Sequence, residues 1–399
     1  MEWYLALILL LGTVCIAMFV GLPVAFAFFA ANILGTYLFI GGSLGLEEMP
    51  KEFQAAVTKF VLTPIALFLL MGEILLHTGV AFKAIGAIDR LIARVPGRLA
   101  VVSIAGGTIF SSLSGSSIAN TAILGSVLLP DMVKRGYAPT FAMGPIMAVG
   151  GIAVLIPPSA LAVLLASLAD QSIAKLLIAG IVPGLFMALL FFAYVIGRSM
   201  ANPSLAPGYD LDLSHLEQPI TFELYWRGRC RYQRVYDGPS KRALNRWLPF
   251  SIYITPLFMI FVVVVGSIFM KLAAPTEAAA LGCIAAFVIC YLFRLVGTVI
   301  RISGVEGAEF SWREIWKALM ETAKVNTMIL FIIAGSLVFT QALESSGATQ
   351  GLLREIIAFQ MTPLTAMFLM MLVLLFLGAF MDQVSMVLLT LPFFVPLAQ

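Results

Sequence analysis

The sequence predicts an all-α polytopic membrane protein, and three observations carry that expectation. Hydrophobic residues make up 61% of the 399-residue chain and charged ones only 11%, against about 25% charged in a soluble domain. Mean hydropathy is +1.02. Apolar runs long enough to cross a bilayer recur from end to end, separated by short polar segments. The net charge of +3 says little as a total, because the basic residues are unevenly placed. Cys15, Cys230, Cys283 and Cys290 show neither metal nor redox spacing, and three of them lie in apolar runs, so they read as packing residues. Met1-Glu2-Trp3 lacks the positive start and cleavage site of a secretory signal, so the first apolar run is expected to be retained.

Taken in order, Tyr4–Val20 and Val24–Ile40 read as spans joined by a tight Gly21-Leu22-Pro23 turn. Residues 41–59 read as a polar loop carrying Glu47, Glu48, Lys51 and Glu52, and Val61–Thr78 as a third span. Lys83, Arg90, Arg94 and Arg98 among apolar neighbours predict an amphipathic helix lying in the interface. Residues 99–130 are interrupted by Ser111-Ser112-Leu113-Ser114-Gly115-Ser116-Ser117. At ~1.5 Å per residue, thirty-odd residues either cross once with room to spare or enter and return as two half-length helices. The Ser/Gly run favours the second, a re-entrant hairpin with Ser114–Ser117 at its tip. Residues 137–169 predict a helix broken at Pro157-Pro158, and Lys175–Ile196 a further span.

The long polar segment 199–246 holds Arg227, Arg229, Arg231, Arg234, Lys241, Arg242, Arg246 and His215. Its interleaved aromatics also suit a nucleic-acid patch, but a basic cytoplasmic linker flanking a membrane explains it better, and no nucleic-acid partner is expected. Beyond it, 247–271 and 276–293 read as spans, 312–324 as a second interfacial helix, 325–343 as a span and 362–396 as a second hairpin interrupted near 378–385. With the N-terminus outside and both hairpins re-entrant, 19 of the 24 Lys and Arg fall on the inner side; without the seven of 227–246 the ratio is still 12 against 5. The positive-inside rule therefore supports an N-terminus on the outer side.

A shift of 266 positions places Phe110 on Phe376, Ser116 on Asp382 and Pro130 on Pro396, and on the count above the two hairpins open to opposite sides. This predicts an inverted repeat: 1–198, the linker 199–246, and 247–399, the last incomplete at its end. Irregular backbone at bilayer depth is tolerated only where protein buries it or a watery cavity borders it. Freed carbonyls with hydroxyls beside them make an oxygen-rich site of the kind hard cations take. Ser114, Ser117, Asn120, Gly150, Gly151, Asp382 and Ser385 are the candidate sodium ligands, and Ser114, Gly115, Ser116, Ser117, Pro157 and Pro158 the candidate substrate contacts. Small residues also pack membrane helices, which is the competing use of the same serines. Asp382 in LFLGAFMDQVSM is a carboxylate in an apolar run, a position that is costly and usually functional, although it could instead cap a half-helix. Glu73 and Glu277 are the other acids in apolar surroundings, and Glu277 fits a helix cap better than a ligand.

The stretches SLSGSSIANTAILGSVLLPDMVKRGY, GGIAVLIPPSALAVLLASLADQSIAKLLIAGIVPGL, APTEAAALG and FLGAFMDQVSMVLLTLPFFVPLA resemble the large membrane subunit of tripartite ATP-independent periplasmic (TRAP) transporters. The resemblance implies an elevator-type, sodium-driven importer of small organic acids in the bacterial inner membrane, with Na+ as the coupling ion. It also implies a small four-helix membrane subunit and a periplasmic solute-binding protein as partners. Two features depart from the family: the 199–246 loop is longer than usual, and the second broken helix, expected after the second hairpin, is missing. The chain is thus expected to lack a C-terminal stretch and, alone, not to transport. An intramembrane enzyme is the alternative, but neither of the two histidines lies beside the serine run and no nucleophile elbow is present. A passive channel has no need of mirrored broken helices.

Overall fold

A computed structural model describes residues 2–92, 95–115, 117–207, 219–226, 229–238, 241–298, 300–302, 310–358, 362–379 and 381–398. Ser116, His215 and Arg227 lie outside them. The chain is mostly helical, as expected. Among the described residues, five helices, at 60–77, 173–201, 243–269, 275–295 and 312–345, are long and apolar enough to span a membrane, and a bent pair at 139–155 and 160–168 makes a sixth candidate. It is a multi-pass membrane protein.

Two compact units draw on both ends of the sequence. The first comprises Met1–Leu62, Leu168–Asp170 and Lys324–Gln399. Its helices are α1 (Trp3–Phe19), α2 (Val24–Phe39) and α3 (Ser43–Val57), together with later elements named below. α1 packs on α2, and α2 on α3. The polar loop expected at 41–59 is therefore a helix: Gly45, Met49 and Ala56 are buried while Glu47, Glu48 and Glu52 stay exposed, an amphipathic pattern that its charge density disguises.

The second unit comprises Thr63–Ser167 and Gln171–Ala323. It holds α4 (Thr63–His77), α5 (Val80–Leu91), α6 (Arg98–Ser114), α7 (Ser117–Lys134), α8 (Pro139–Leu155), α9 (Ala160–Leu168, whose last residue belongs to the first unit), α10 (Ile173–Ala201), α11 (Lys241–Phe269) and α12 (Pro275–Thr298). α12 packs on α4 and α11, and α11 on α5. Glu277 accepts from the Ala274 backbone N–H at 2.8 Å, so it is a helix cap, as its sequence context suggested. Cys283 Sγ donates to the Leu67 carbonyl at 2.8 Å, Cys290 pairs with the Thr78 hydroxyl at 3.1 Å, and Cys15, Cys283 and Cys290 are free thiols.

α13 (Trp312–Ser345) runs unbroken for 34 residues, where the sequence reading had an interfacial helix and a separate span. No proline interrupts it, and the amphipathic start and apolar continuation share the same 3.6-residue period, so nothing in the sequence ends the first piece. α14 (Ala348–Ala358), α15 (Pro363–Gly378) and α16 (Gln383–Ala398) complete the first unit; α14 packs on α1 and α16, and α15 on α16.

The all-α expectation needs one correction. The linker carries β1 (Ile220–Trp226) and β2 (Arg229–Tyr236), antiparallel with a bulge at Leu224/Tyr225, and β3 (Ile300–Ile302) pairs with β1 to give the order β2-β1-β3. ITFELYW and RCRYQRVY alternate β-branched or aromatic residues with polar ones, which is strand chemistry beneath the basic charge.

Large apolar side chains remain exposed along many helices, among them Val182, Leu185 and Phe186 on α10 and Leu375 and Phe376 on α15. Only 17% of the spanning window of α10 is buried. Such faces suit hydrocarbon as solvent rather than water.

Candidate functional site

Within the second unit, α6 and α7 do not form one rod. α6 ends at Gly115, whose φ of +58° is left-handed, and α7 starts at Ser117 and folds back along it. The return is fixed by Asn120. Its Nδ2 donates to Ser111 Oγ at 2.6 Å, to the Gly107 carbonyl at 3.3 Å and to the Val149 carbonyl at 3.4 Å. Ser111 Oγ donates to the same Val149 carbonyl at 3.4 Å. One side chain thus ties α6, α7 and α8 together. Asn120 is fully buried, and its Oδ1 has no hydrogen-bond partner. A buried carbonyl oxygen without a donor costs free energy unless something electropositive reaches it.

The second interruption lies between α8 and α9, which bend by 47°. Pro157 and Pro158 supply no N–H, so the carbonyls one turn earlier lose their usual donors. The Pro157–Pro158 peptide is cis. Ser159, fully buried, restarts the helix: its Oγ accepts from the Ala162 N–H at 3.2 Å. α10 closes on this break at Gly180, where a Cβ would stand 2.3 Å from the Leu155 carbonyl oxygen, and at Gly184, against Ile156.

The two interruptions meet. A Cβ on Gly115 would lie 2.9 Å from the Pro158 carbonyl oxygen and 3.3 Å from the Ala160 nitrogen. A Cβ on Gly150 would lie 2.5 Å from Thr121 Oγ1 and 3.4 Å from the Ser117 carbonyl oxygen. The hairpin tip is therefore seated on the break in α8–α9, and glycine is required on both sides of the contact. Of the sequence candidates, Gly115, Ser117, Asn120, Gly150, Pro157 and Pro158 converge here. Gly151 meets nothing within 4 Å, so its neighbour Gly150 makes the contact. Ser116 lies outside the described residues, and of Ser114 only the backbone, the last turn of α6, is described. Ser111, Gly107, Ser159 and Gly180 were not among the candidates. Ser111 and Gly107 meet Asn120 only across the hairpin, Ser111 also meets Val149 on α8, and Gly180 meets Leu155 from another helix, so no local spacing signals these pairs.

Asp382 and Ser385 belong to the first unit, at the gap between α15 and α16. Asp382 Oδ2 accepts from the Val384 and Ser385 N–H groups at 3.1 and 3.2 Å, and Oδ1 accepts from Ser385 Oγ. Asp382 is exposed and caps α16, whereas Ser385 is buried. The capping use weighed from the sequence is thus present. Nearby, Ser336 on α13 donates to the Leu388 carbonyl at 2.9 Å, and Asn32 on α2 donates to the Gly335 carbonyl at 2.8 Å. Among the described residues, no group of three His, Cys, Asp or Glu side chains is placed to hold a metal ion.

A family model described as "Tripartite ATP-independent periplasmic transporter, DctM component" matches residues 11–399. The chain belongs to this family. The C4-dicarboxylate TRAP transporter large permease of Pseudomonas aeruginosa is 27% identical to it, over 85% of this chain and 69% of that protein. The corresponding permease of Rhodobacter capsulatus is 26% identical over 98% and 81%, and the sialic acid TRAP large permease of Vibrio cholerae 25% over 96% and 78%. These relatives are named as transporter permeases, and this TRAP large subunit is a permease rather than an enzyme.

Proposed function

We propose that the chain is the permease subunit of a sodium-coupled secondary importer of small organic acids. It works in the bacterial inner membrane with a periplasmic solute-binding protein and a small four-helix membrane subunit. The carrying observation is Asn120 Oδ1, a buried oxygen without a donor, where the α6–α7 tip seats on the broken α8–α9 helix. Sodium takes oxygen ligands, as hard cations do. Asn120 Oδ1, carbonyls of the Gly150 turn and the Ser114–Ser117 tip would supply them, with substrate against the tip and Pro157–Pro158. A second ion would sit at Asp382 and Ser385, where two mirrored hairpins would place its counterpart. The substrate class follows from relatives named for C4-dicarboxylates and sialic acid.

In this reading α6 and α7 form a re-entrant hairpin, the N-terminus is periplasmic, and the hairpins and broken helices move together as an elevator. Sodium orders the tip against the break before substrate binds, so the ion lowers the ordering cost that substrate would otherwise bear. The test is uptake by proteoliposomes holding the full-length subunit with its membrane partner, supplied with the binding protein and a panel of labelled organic acids. Uptake is expected to follow an inward sodium gradient and to vanish when choline replaces sodium. Uptake undiminished in choline, or surviving Asn120→Leu combined with Asp382→Ala, would discard the assignment.

A further inference from the structure

We propose that the three-stranded sheet of the second unit is a lipid-binding module, whose aromatic face lies on the headgroups of anionic phospholipids. The strand register sorts its residues onto two faces. Ile220, Phe222 and Leu224 on β1 stand opposite Tyr236, Arg234 and Tyr232 on β2, and directly opposed residues share a face. β3 pairs Ile302 with Phe222 and Ile300 with Leu224. Thr221, Glu223, Gln233 and Val235 form the other face, where Gln233 donates to Glu223 at 3.2 Å. One face is thus mostly polar and the other mostly apolar, with one arginine set among its rings.

The apolar face is buried at one end only. Ile220 is fully buried and anchors the sheet to the protein, whereas Leu224, Tyr232, Arg234 and Tyr236 are exposed. Tyrosine and arginine around a leucine suit the membrane boundary. Phenol rings settle at headgroup level, and a guanidinium group pairs with phosphate in charge-assisted hydrogen bonds.

The chain holds the sheet where that face can meet lipid. The spanning stretch of α12 ends at Leu295, and β3 starts at Ile300. Three helical steps and two extended ones reach at most about 12 Å, so β3 stays close to the headgroup layer. β2 ends at Tyr236, shortly before the spanning stretch of α11 opens at Ala243. Trp247 on α11 and Trp312 and Trp316 at the start of α13 are exposed, as in the aromatic belts that mark a membrane–water boundary. Segment 227–246 carries seven Lys and Arg against one acid, Asp237, and that excess selects an anionic surface over a zwitterionic one. A soluble acidic protein would match the charge, but it would not need the sheet held beside the ends of two spans.

The module shares no residue with the sodium reading and stands or falls apart from it. The experiment is hydrogen–deuterium exchange of the full-length subunit in nanodiscs of phosphatidylcholine alone and of an equal mixture with phosphatidylglycerol. Amides of β1 and β2 are expected to exchange about tenfold more slowly in the mixed discs, with the difference fading at high salt. Arg234→Gln should remove about fivefold of that protection, the factor one arginine commands near an anionic surface. Tyr232→Ser with Tyr236→Ser should abolish it, whereas Val235→Ser, in the same strand on the opposite face, should leave it intact. In phosphatidylcholine alone each variant should exchange as the parent does, because the replaced side chains are exposed. Should the double serine variant loosen the sheet there, Arg234→Gln decides by itself. Equal exchange in the two lipids, or protection unchanged by Arg234→Gln, overturns the inference and leaves the face to a protein partner.

Discussion

Gly115→Ala separates a seated hairpin tip from one that merely lies nearby. Two costs add. At φ +58° a Cβ suffers the left-handed penalty of about 1–2 kcal/mol. The same methyl would press on backbone, 2.9 Å from the Pro158 carbonyl oxygen and 3.3 Å from the Ala160 nitrogen. Backbone cannot swing aside as a side chain does, and overpacking of this kind costs about 1–3 kcal/mol. The expected loss is therefore about 2–5 kcal/mol. At about 2–4 °C per kcal/mol for a body of this size, the melting temperature should fall by on the order of 10 °C. The assay is thermal unfolding of the purified subunit, run beside sodium-dependent uptake. Two companions fix the cause. Gly125→Ala, in the same hairpin but with nothing within 4 Å of the new methyl, should gain up to about 1 kcal/mol. Gly115→Asn tolerates the left-handed backbone yet meets the same carbonyl, so it should recover only the first cost. A Gly115→Ala protein that melts with the parent and transports normally would show that the tip is not seated on the α8–α9 break.

Ser111→Ala removes the acceptor for Asn120 Nδ2 and a donor to Val149, so it should cost about 1–3 kcal/mol and raise the sodium concentration for half-maximal uptake. Gly180→Ala would drive a methyl into the Leu155 carbonyl and should destabilise by about 1–3 kcal/mol. Gly197→Ala on the same helix meets nothing and should be neutral or mildly stabilising. At the α5–α6 junction, Arg98 pairs with Asp89 at 2.9 Å and donates to the Asp89 and Ile92 carbonyls at 2.7 Å each. Burial nonetheless pushes the Asp89 carboxyl above its ordinary value of 3.8, against the pull of Arg98. A raised acid stabilises the fold at low pH and loses that contribution as pH climbs from 3.8 through the raised value. Melting temperatures followed from pH 4 upward should thus show Asp89→Asn flattening the decline, while Arg98→Met, which strips both carbonyls of their donor, destabilises at every pH.

How much of this was legible in the sequence depended on whether the signal was local. The α6–α7 and α8–α9 interruptions were readable because Ser114-Gly115-Ser116-Ser117 and Pro157-Pro158 break helices by their own backbone chemistry, and the structure breaks both there. The α15–α16 gap was likewise readable around Gly378–Ser385. α3 was hidden because Glu47, Glu48 and Glu52 read as loop polarity although its apolar residues keep helical spacing. The β-sheet was hidden for two reasons. Arginines masked the strand alternation, and β3, some 75 residues from β1, contributes an edge that no local pattern announces.

The site itself was legible as a neighbourhood and not as a set of contacts. In hydrocarbon, burying one apolar face against another gains little, so helices associate through close backbone approach and satisfied polar groups. What matters about a glycine is then whether another backbone lies where its Cβ would be. Gly150 meets Thr121 and Ser117, and Gly151 meets nothing, yet as letters the two are identical. The same holds for oxygens. Asn120 spends its hydrogen bonds on its nitrogen and none on Oδ1. That atom differs from its neighbours only in three dimensions. A cation there would remove the desolvation cost that the protein otherwise bears, and so the sodium proposed at Asn120 rests on an unpaired atom rather than on residue type.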